Sequence, residues 1–208
     1  MKTFKTMLKT ELKLSLRGMD MFIFAICMPV VVIVLLGIIY GDKPAFADAE
    51  YTFLQQSFGA VSTIAICAGG LMGLPLVVSD YRNRKILKRL KVTPVKPITI
   101  LLVEITIYCI YSLVSLALIY LVAFLFFDFQ IIGSFWQFFL SFVLVMLSMF
   151  SIGMMVGGIA PNMKIASTVA SILYFPMLIF SGATLPYEIM PNALQNFANI
   201  LPLTQGIK

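Results

Sequence analysis

The 208-residue sequence contains no histidine and only three cysteines. The absence of histidine excludes histidine-based acid–base catalysis and histidine metal ligands. Cys27, Cys67 and Cys109 lie in three separate apolar runs, where cysteine usually packs as a small buried hydrophobe. Their positions give no disulfide framework and no metal cluster. We therefore expect no catalytic residues and no metal site, and we predict that this chain is not an enzyme.

Charge is also scarce in this sequence. Charged residues make up 12% of the chain, whereas a soluble domain has about 25%. Apolar residues make up 61%, and the mean hydropathy is +1.01. These values indicate an all-α polytopic membrane protein with almost no soluble mass. The net charge of +6 does not indicate nucleic acid, because the basic residues flank apolar runs, as they do beside membrane lipid.

Five apolar runs are long enough, or nearly long enough, to cross a hydrocarbon core about 30 Å thick. We predict membrane spans at Met21–Tyr40, Phe58–Val78, Ile105–Phe127, Phe135–Ile159 and Ile165–Phe180. The fifth run has only 16 residues, which is below the usual range of about 17–25. It is therefore either buried among other helices or continued by a segment that folds back.

Lysine and arginine are divided unequally between the two sides of these spans. The N-terminal segment has five, the loop at 80–97 has seven, and the turn before the fifth span has Lys164. The opposite side has Lys43 and Lys208. Because basic loops stay in the cytoplasm, we predict a multi-pass protein of the cell (cytoplasmic) membrane with its N-terminus in the cytoplasm. Five spans would leave Lys208 outside, so we expect a sixth span that is absent from this sequence.

The N-terminal segment, residues 1–19, has the pattern of an amphipathic helix. At 100° per residue its cations fall within one arc of about 120°. These cations are Lys2, Lys5, Lys9, Lys13 and Arg17. We predict an interfacial helix that lies on the cytoplasmic leaflet. Glu11 projects from the apolar arc, so we expect it to bind a protein partner, such as a basic group of the 80–97 loop or of another subunit.

The loop at 80–97 is the most basic segment of the chain. An apolar stripe in it indicates a short helix with Asn83, Ile86, Leu87 and Leu90 on one face. Basic residues spread around the other side, namely Arg84, Lys85, Lys88, Arg89 and Lys91. Thr93 and Pro94 end this helix. A loop that only sets topology needs charge but no apolar stripe, so we predict that this helix docks into a cleft of a soluble partner.

Ionisable side chains are rare within the predicted spans. Glu104 lies at the cytoplasmic edge of the third span, and we expect it to pair with a lysine or arginine of the 80–97 loop. Glu104 and Glu188 are candidates for a gating role or an ion pair, since ionisable groups at membrane depth are often functional. No chain of carboxylates crosses the bilayer, as a proton- or sodium-coupled pump would need. A secondary transporter or channel stays an alternative.

Two further patterns concern helix packing and the end of the chain. Small residues recur four apart in the predicted spans, as in Gly153 and Gly157, and such ridges let helices approach closely. After the fifth span, Gly182, Pro186 and Pro191 interrupt the chain. A short apolar face follows at Leu194, Phe197, Ala198 and Leu201. We predict that residues 181–203 fold back into the outer leaflet.

Three stretches of this sequence resemble the membrane subunit of a type-2 ABC (ATP-binding-cassette) exporter. The first is Glu11 through Asp20, with Pro29 and Gly37. The second is ILKRLKVTPVKP at 86–97, close to the pattern L-x-R-L-x-x-T-P. The third runs from Ser181-Gly-Ala-Thr-Leu-Pro186 to Leu201-Pro-Leu-Thr204. Together they cover the chain from end to end, and the second is the most specific.

The resemblance implies one transmembrane domain over residues 1–208, with six spans and re-entrant helices at 181–203. It implies a connecting helix at 1–19 that contains Glu11 and Arg17. It also implies a helix in the 80–97 loop that couples the chain to an ATPase. The coupling residues would be Arg84, Ile86, Leu87, Lys88, Arg89, Leu90, Thr93 and Pro94.

The resemblance further implies partners for this chain. Two permease subunits, identical or different, would pair, and two ABC ATPase subunits would dock beneath them. ATP and magnesium would bind to the ATPases, because this sequence has no G-x-x-x-x-G-K-[ST] motif. The expected function is export of a drug, lipid, peptide or polysaccharide. An intramembrane enzyme is disfavoured, since the sequence has no histidine and no paired intramembrane aspartates.

Overall fold

A computed structural model describes residues 2–41, 43–45, 51–90, 92, 95–130, 133–180, 191–199 and 201–207. All regular secondary structure in these ranges is helical. The helices are α1 (Lys2–Gly18), α2 (Asp20–Phe22), α3 (Met28–Tyr40), α4 (Phe53–Cys67), α5 (Leu74–Asn83), α6 (Ile86–Leu90), α7 (Pro97–Phe127), α8 (Phe135–Ile159), α9 (Met163–Phe180), α10 (Asn192–Ala198) and α11 (Pro202–Ile207). The π-helical segments Ile23–Cys27 and Ala68–Gly73 join α2 to α3 and α4 to α5.

Among the described residues, five continuous helices are long and apolar enough to cross a membrane. We number them span 1 to span 5, and they are Ile23–Tyr40, Phe53–Asn83, Pro97–Phe127, Phe135–Ile159 and Met163–Phe180. The prediction of an all-α polytopic protein is therefore confirmed. Spans 2 and 3 are each 31 residues long, which corresponds to about 46 Å of helix at 1.5 Å per residue.

The predicted spans 2 and 3 were shorter than the helices, which begin earlier in the chain. Span 2 begins at Phe53, five residues before the predicted start, because Thr52 caps it. The backbone N–H of Gln55 donates to Thr52 Oγ1 at 3.3 Å, and the Gln55 side chain accepts from the N–H of Thr52 at 2.8 Å. Span 3 begins at Pro97, whose missing N–H costs nothing at the first position of a helix.

Span 2 is the central helix of the bundle. In its most apolar stretch 83% of the residues are buried, whereas the share in the other spans is between 17% and 39%. Two of its buried hydroxyls bond within the helix, since those of Ser62 and Thr63 donate to the carbonyls of Gly59 and Ala60. The other spans therefore pack around span 2 and turn apolar side chains outward.

Glycines let span 4 approach span 2 at backbone distance, as the small-residue ridge predicted. A methyl group on Gly153 would collide with the carbonyl oxygen of Gly70. A methyl group on Gly157 would lie 2.8 Å from Cβ of Val78 and 3.0 Å from Cα of Pro75. The side chain of the buried Tyr108 from span 3 covers the opposite side of span 2, against Gly69 and Gly73.

The N-terminal helix α1 packs on this bundle. Phe4, Met7, Leu8 and Leu12 contact the apolar core around Tyr108 and Met149. Part of the predicted apolar arc therefore faces protein, whereas Leu14 and Leu16 are exposed. The position of α1 at a membrane surface stays a prediction.

A left-handed turn separates α5 from the short helix α6. Lys85 has φ 58°, and its carbonyl accepts from the N–H groups of Lys88 and Arg89 at 3.1 and 3.0 Å. The 80–97 loop thus contains a helix, but α6 begins only at Ile86. Asn83 ends α5, and Arg84 and Lys85 form the turn before α6. The predicted inclusion of these three residues in the loop helix was therefore wrong.

The chain folds back after span 5. Thr204 on α11 donates to the carbonyl of Phe180 at 3.2 Å, and α11 packs against α8. Ala198 and Leu203 are fully or almost fully buried. Re-entry of this segment into the membrane stays a prediction, and residues 181–190 and 200, including Glu188, lie outside the described residues.

Candidate functional site

The last turns of α5 carry polar side chains toward several different helices. Tyr81 contacts α7 and α1, Arg82 contacts the end of α8, and Arg84, just after α5, returns to Asp80 on that helix. A continuous polar cluster thus lies at the end of span 2, directly before α6. We call this end of the bundle the α6 end.

The central contact of the cluster joins Tyr81 to Glu104. The Tyr81 hydroxyl donates to Oε1 of Glu104 at 2.8 Å, and the Glu104 side chain is only 5% exposed. The partner of Glu104 among the described residues is thus a tyrosine, whereas the sequence predicted a lysine or arginine. A carboxylate this deeply buried needs a donor, because desolvation penalises its charged form.

Glu11 reaches the same tyrosine from α1. Burial raises the pKa of Glu11, and a side-chain hydrogen bond with Tyr81 lowers it by a smaller amount. Glu11 was expected to bind a protein partner, such as a basic group of the 80–97 loop or of another subunit. Within this chain its partner is Tyr81, which comes from that loop but is not basic. A second polar contact holds α1 on α7, since the Tyr111 hydroxyl donates to Ser15 Oγ at 2.8 Å.

Arg82 joins span 2 to the end of span 4. Its Nη1 donates to the carbonyls of Gly157, Gly158 and Ala160, with distances of 3.2 Å to Gly157 and 3.1 Å to Ala160. The last carbonyls of a helix lack partners within the helix, and a cation there also interacts favourably with the helix dipole. Arg82 therefore binds α5 to α8 through backbone atoms that no side-chain substitution in α8 removes.

The ion pair between Arg84 and Asp80 is more exposed. Arg84 Nε lies 2.8 Å from Asp80 Oδ1, and the Arg84 side chain is 70% exposed. Exposed pairs of this kind contribute about 0–1 kcal/mol to stability. This pair therefore orders the last turn of α5 without binding it to another helix.

The α6 helix has two different sides. Ile86, Leu87 and Leu90 are half-buried, and the helix packs against α5 and α7. Lys88 and Arg89 are exposed. The sequence predicted that this apolar stripe docks into a soluble partner. In the structure the stripe partly contacts the chain itself, and the exposed side of α6 is basic.

A cavity of about 300 Å³ lies beside the cluster, where α1, α5 and α7 meet. Its walls include Glu11, Tyr81 and Glu104 together with apolar side chains such as Met21 and Val77. No group of three histidine, cysteine, aspartate or glutamate side chains could hold a metal ion in the described part of the chain.

The structure brings together only part of the predicted site. Glu11 and Glu104 meet at Tyr81, whereas Arg17 is exposed on α1. Thr93, Pro94 and Glu188 lie outside the described residues. Sequence reasoning missed Tyr81 and Arg82, which it treated as part of a basic loop. Arg82 binds the end of α8, which lies much later in the chain. Such a contact has no local pattern in the sequence.

In the described residues, span 2 and the four apolar spans around it define a multi-pass α-helical membrane protein. A family model described as ABC-2 type transporter matches residues 2–208, so the chain belongs to that family and is a permease subunit of an ABC transporter. No curated protein and no solved structure matches the chain.

Proposed function

We propose that this permease subunit exports a substrate across the cytoplasmic membrane, driven by ATP that separate ATPase subunits bind and hydrolyse. The observation that carries the proposal is the attachment of α6. The residues just before it, Tyr81 and Arg82, are hydrogen-bonded to span 3 and to the end of span 4. A displacement of α6 would therefore be transmitted to span 3 and to the end of span 4.

The first step of the proposal is docking. Lys88 and Arg89 point away from the bundle and offer a cationic surface to an acidic rim on the ATPase. The half-buried Ile86, Leu87 and Leu90 hold α6 on the bundle and leave an apolar edge for contact. Charged contacts of this kind steer association and fix its register. The expected coupling residues Arg84, Thr93 and Pro94 flank this surface in the sequence.

The second step is transmission. The Tyr81 hydroxyl connects a shift of α5 to span 3, and the Arg82 guanidinium connects it to the end of span 4. The close backbone contact of Gly153 with Gly70 leaves little space between spans 2 and 4. Packed helices of this kind change between discrete arrangements and deform little. ATP can shift that equilibrium only if α6 makes different contacts in the two states.

The proposal also covers the orientation of the chain in the membrane and its assembly with other subunits. The basic α6 end would face the cytoplasm under the rule that lysine and arginine stay inside. A second permease subunit, identical or different, would complete the translocation path, and ATP with magnesium would bind to the ATPases. The class of substrate (drug, lipid, peptide or polysaccharide) stays open in this proposal.

Co-purification in mild detergent tests the proposal. The full chain should isolate a polypeptide that is labelled by photoreactive azido-ATP. Reversal of charge in Lys88→Glu/Arg89→Glu should remove most of that labelling, whereas Lys43→Glu, on an exposed lysine at the opposite end of span 2, should leave it unchanged. Substrate transport by the purified chain alone, without any nucleotide-binding subunit, would favour a secondary transporter or channel and contradict the proposal.

A further inference from the structure

The cavity between α1, α5 and α7 has the size and walls of a small-molecule site. Its volume of about 300 Å³ lies at the lower end of the range for ligand pockets. One wall is apolar and contains Met21, Leu76 and Val77. The other wall contains carboxyl and phenol groups. This division fits a ligand with one polar end and one apolar end.

The charges in the wall do not balance. Arg84 is paired with Asp80 at 2.8 Å. Neither Glu11 nor Glu104 has a lysine or arginine within 4.0 Å among the residues that the structure describes. These two carboxyl groups are also close enough to repel each other. The Tyr81 hydroxyl donates to Glu104 and interacts with Glu11, so the two carboxyl groups have no cationic partner among the described residues.

A cationic ligand would balance the charge of these two carboxyl groups. Two nearby carboxylates in a desolvated place are stabilised by a proton or a bound cation. A metal ion is disfavoured, because the described side chains provide no group of three ligands. Tyr108 also lines the cavity, and tyrosine rings attract organic ammonium groups.

We propose that this cavity binds a small organic ammonium ion, with its charged head between Glu11 and Glu104 and its apolar body against Met21, Leu76 and Val77. The head would donate charge-assisted hydrogen bonds to the two carboxylates. The ammonium group belongs either to a soluble amine or to an aminophospholipid headgroup. The proposal does not depend on coupling to ATP.

Binding would link two elements, because Glu11 belongs to α1 and Glu104 to span 3. An occupied site would hold α1 against the bundle, and the folded state would be stabilised in proportion to ligand occupancy. Each carboxylate would contribute a charge-assisted hydrogen bond. Loss of one such bond weakens affinity by about tenfold or more.

The test uses the full chain in nanodiscs of phosphatidylglycerol, which contain no amine. Calorimetric titration with phenethylammonium should show saturable binding with one site per chain. Glu11→Gln and Glu104→Gln should each weaken binding about tenfold or more, and phenethyl alcohol should not bind. Asp128→Asn is the matched control, since Asp128 lies at the opposite end of α7 and is exposed.

A second arm separates the two sources of the ammonium group. If phosphatidylethanolamine in the nanodisc competes with phenethylammonium, the lipid headgroup is a ligand; if it does not, the site takes soluble amines.

Two results would overturn the proposal: no saturable binding in phosphatidylglycerol nanodiscs, or equal affinity in wild type and Glu11→Gln. Glu11 is only partly buried, so its variant provides the test even if Glu104→Gln fails to fold.

Discussion

The hydroxyl of Tyr81 donates a hydrogen bond of 2.8 Å to the nearly buried carboxylate of Glu104. This bond connects the last turn of span 2 to span 3, only five residues before α6 begins. The neighbouring Arg82 connects the same turn to span 4. Consecutive residues thus attach one helix end to two other helices, and the short helix α6 follows directly after this end.

Replacement of Tyr81 by phenylalanine tests the strength of this connection. Tyr81→Phe removes a donor from a buried carboxylate, and we expect a loss of about 1–3 kcal/mol in the free energy of unfolding. The loss should be smaller in a Glu104→Gln background, because a neutral amide needs the donor less. Thermal unfolding in detergent measures both effects. The control is Tyr40→Phe, which should change stability little because Tyr40 is stacked and partly exposed. Equal losses of stability in the two variants would argue against a specific hydrogen bond between Tyr81 and Glu104.

Arg82 should be irreplaceable by lysine. Its Nη1 reaches three carbonyls at the end of α8, whereas the lysine ammonium ends a shorter side chain and is more strongly hydrated, so it loses more by leaving water. We expect Arg82→Lys to increase hydrogen exchange in the last turn of α8 and to lower the unfolding temperature. The control is Arg84→Lys, which keeps an exposed pair and should cost less than about 0.5 kcal/mol. Identical exchange in both variants would refute the attachment of span 4 through Arg82.

Gly153 should tolerate no side chain. A methyl group there meets the carbonyl oxygen of Gly70, so Gly153→Ala has to separate spans 2 and 4. Overpacking of this kind costs about 1–3 kcal/mol. Gly158→Ala is the matched control in the same helix, because its methyl group would have no neighbour within 4 Å. The ratio of folded to unfolded protein in a denaturant titration measures the difference, and a stable Gly153→Ala would contradict the close approach.

The docking of α1 should weaken as pH rises. Burial raises the pKa of Glu11 above its ordinary value, so the folded chain holds this proton more tightly than the unfolded chain. The stabilisation is complete below the unfolded pKa and is lost as pH rises through the folded pKa. The charged and titratable groups around Glu11 are Tyr81 and Asp80 from α5, Arg84 from the turn after it and Glu104 from α7.

The comparison of wild type with Glu11→Gln isolates this group. Unfolding temperatures measured from pH 4 to pH 7.5 should show a wild-type advantage that shrinks as pH increases. A difference that grows with pH would mean that the folded state lowers the pKa of Glu11, contrary to its burial.

Much of the fold could be predicted because it depends on long apolar runs. The five spans follow from runs that are longer than a bilayer needs, and the Gly153–Gly157 ridge follows from spacing within one helix. The start of span 2 was also readable, since Thr52 and Gln55 have the spacing of a capping box. The apolar run alone placed that start too late.

The site could be predicted only in part, because its contacts join residues that are far apart in the chain. The spacing of α1 showed that Glu11 needs a partner, but Tyr81 lies 70 positions away. Arg82 looks like any other cation of a basic loop until span 4 ends beside it. The half-burial of Ile86, Leu87 and Leu90 depends on the angle at Lys85, whose positive φ no local rule predicts for lysine.

Photo-crosslinking from α6 tests the central claim most directly. A benzoylphenylalanine at Arg89, in the full chain within its native membrane, should crosslink to a nucleotide-binding polypeptide, and the yield should change when ATP is added. The same group at Tyr51, beside the other end of span 2, should give no such product. A crosslink from Tyr51 but not from Arg89 would contradict the account, because the ATPase would then bind the wrong end of the bundle.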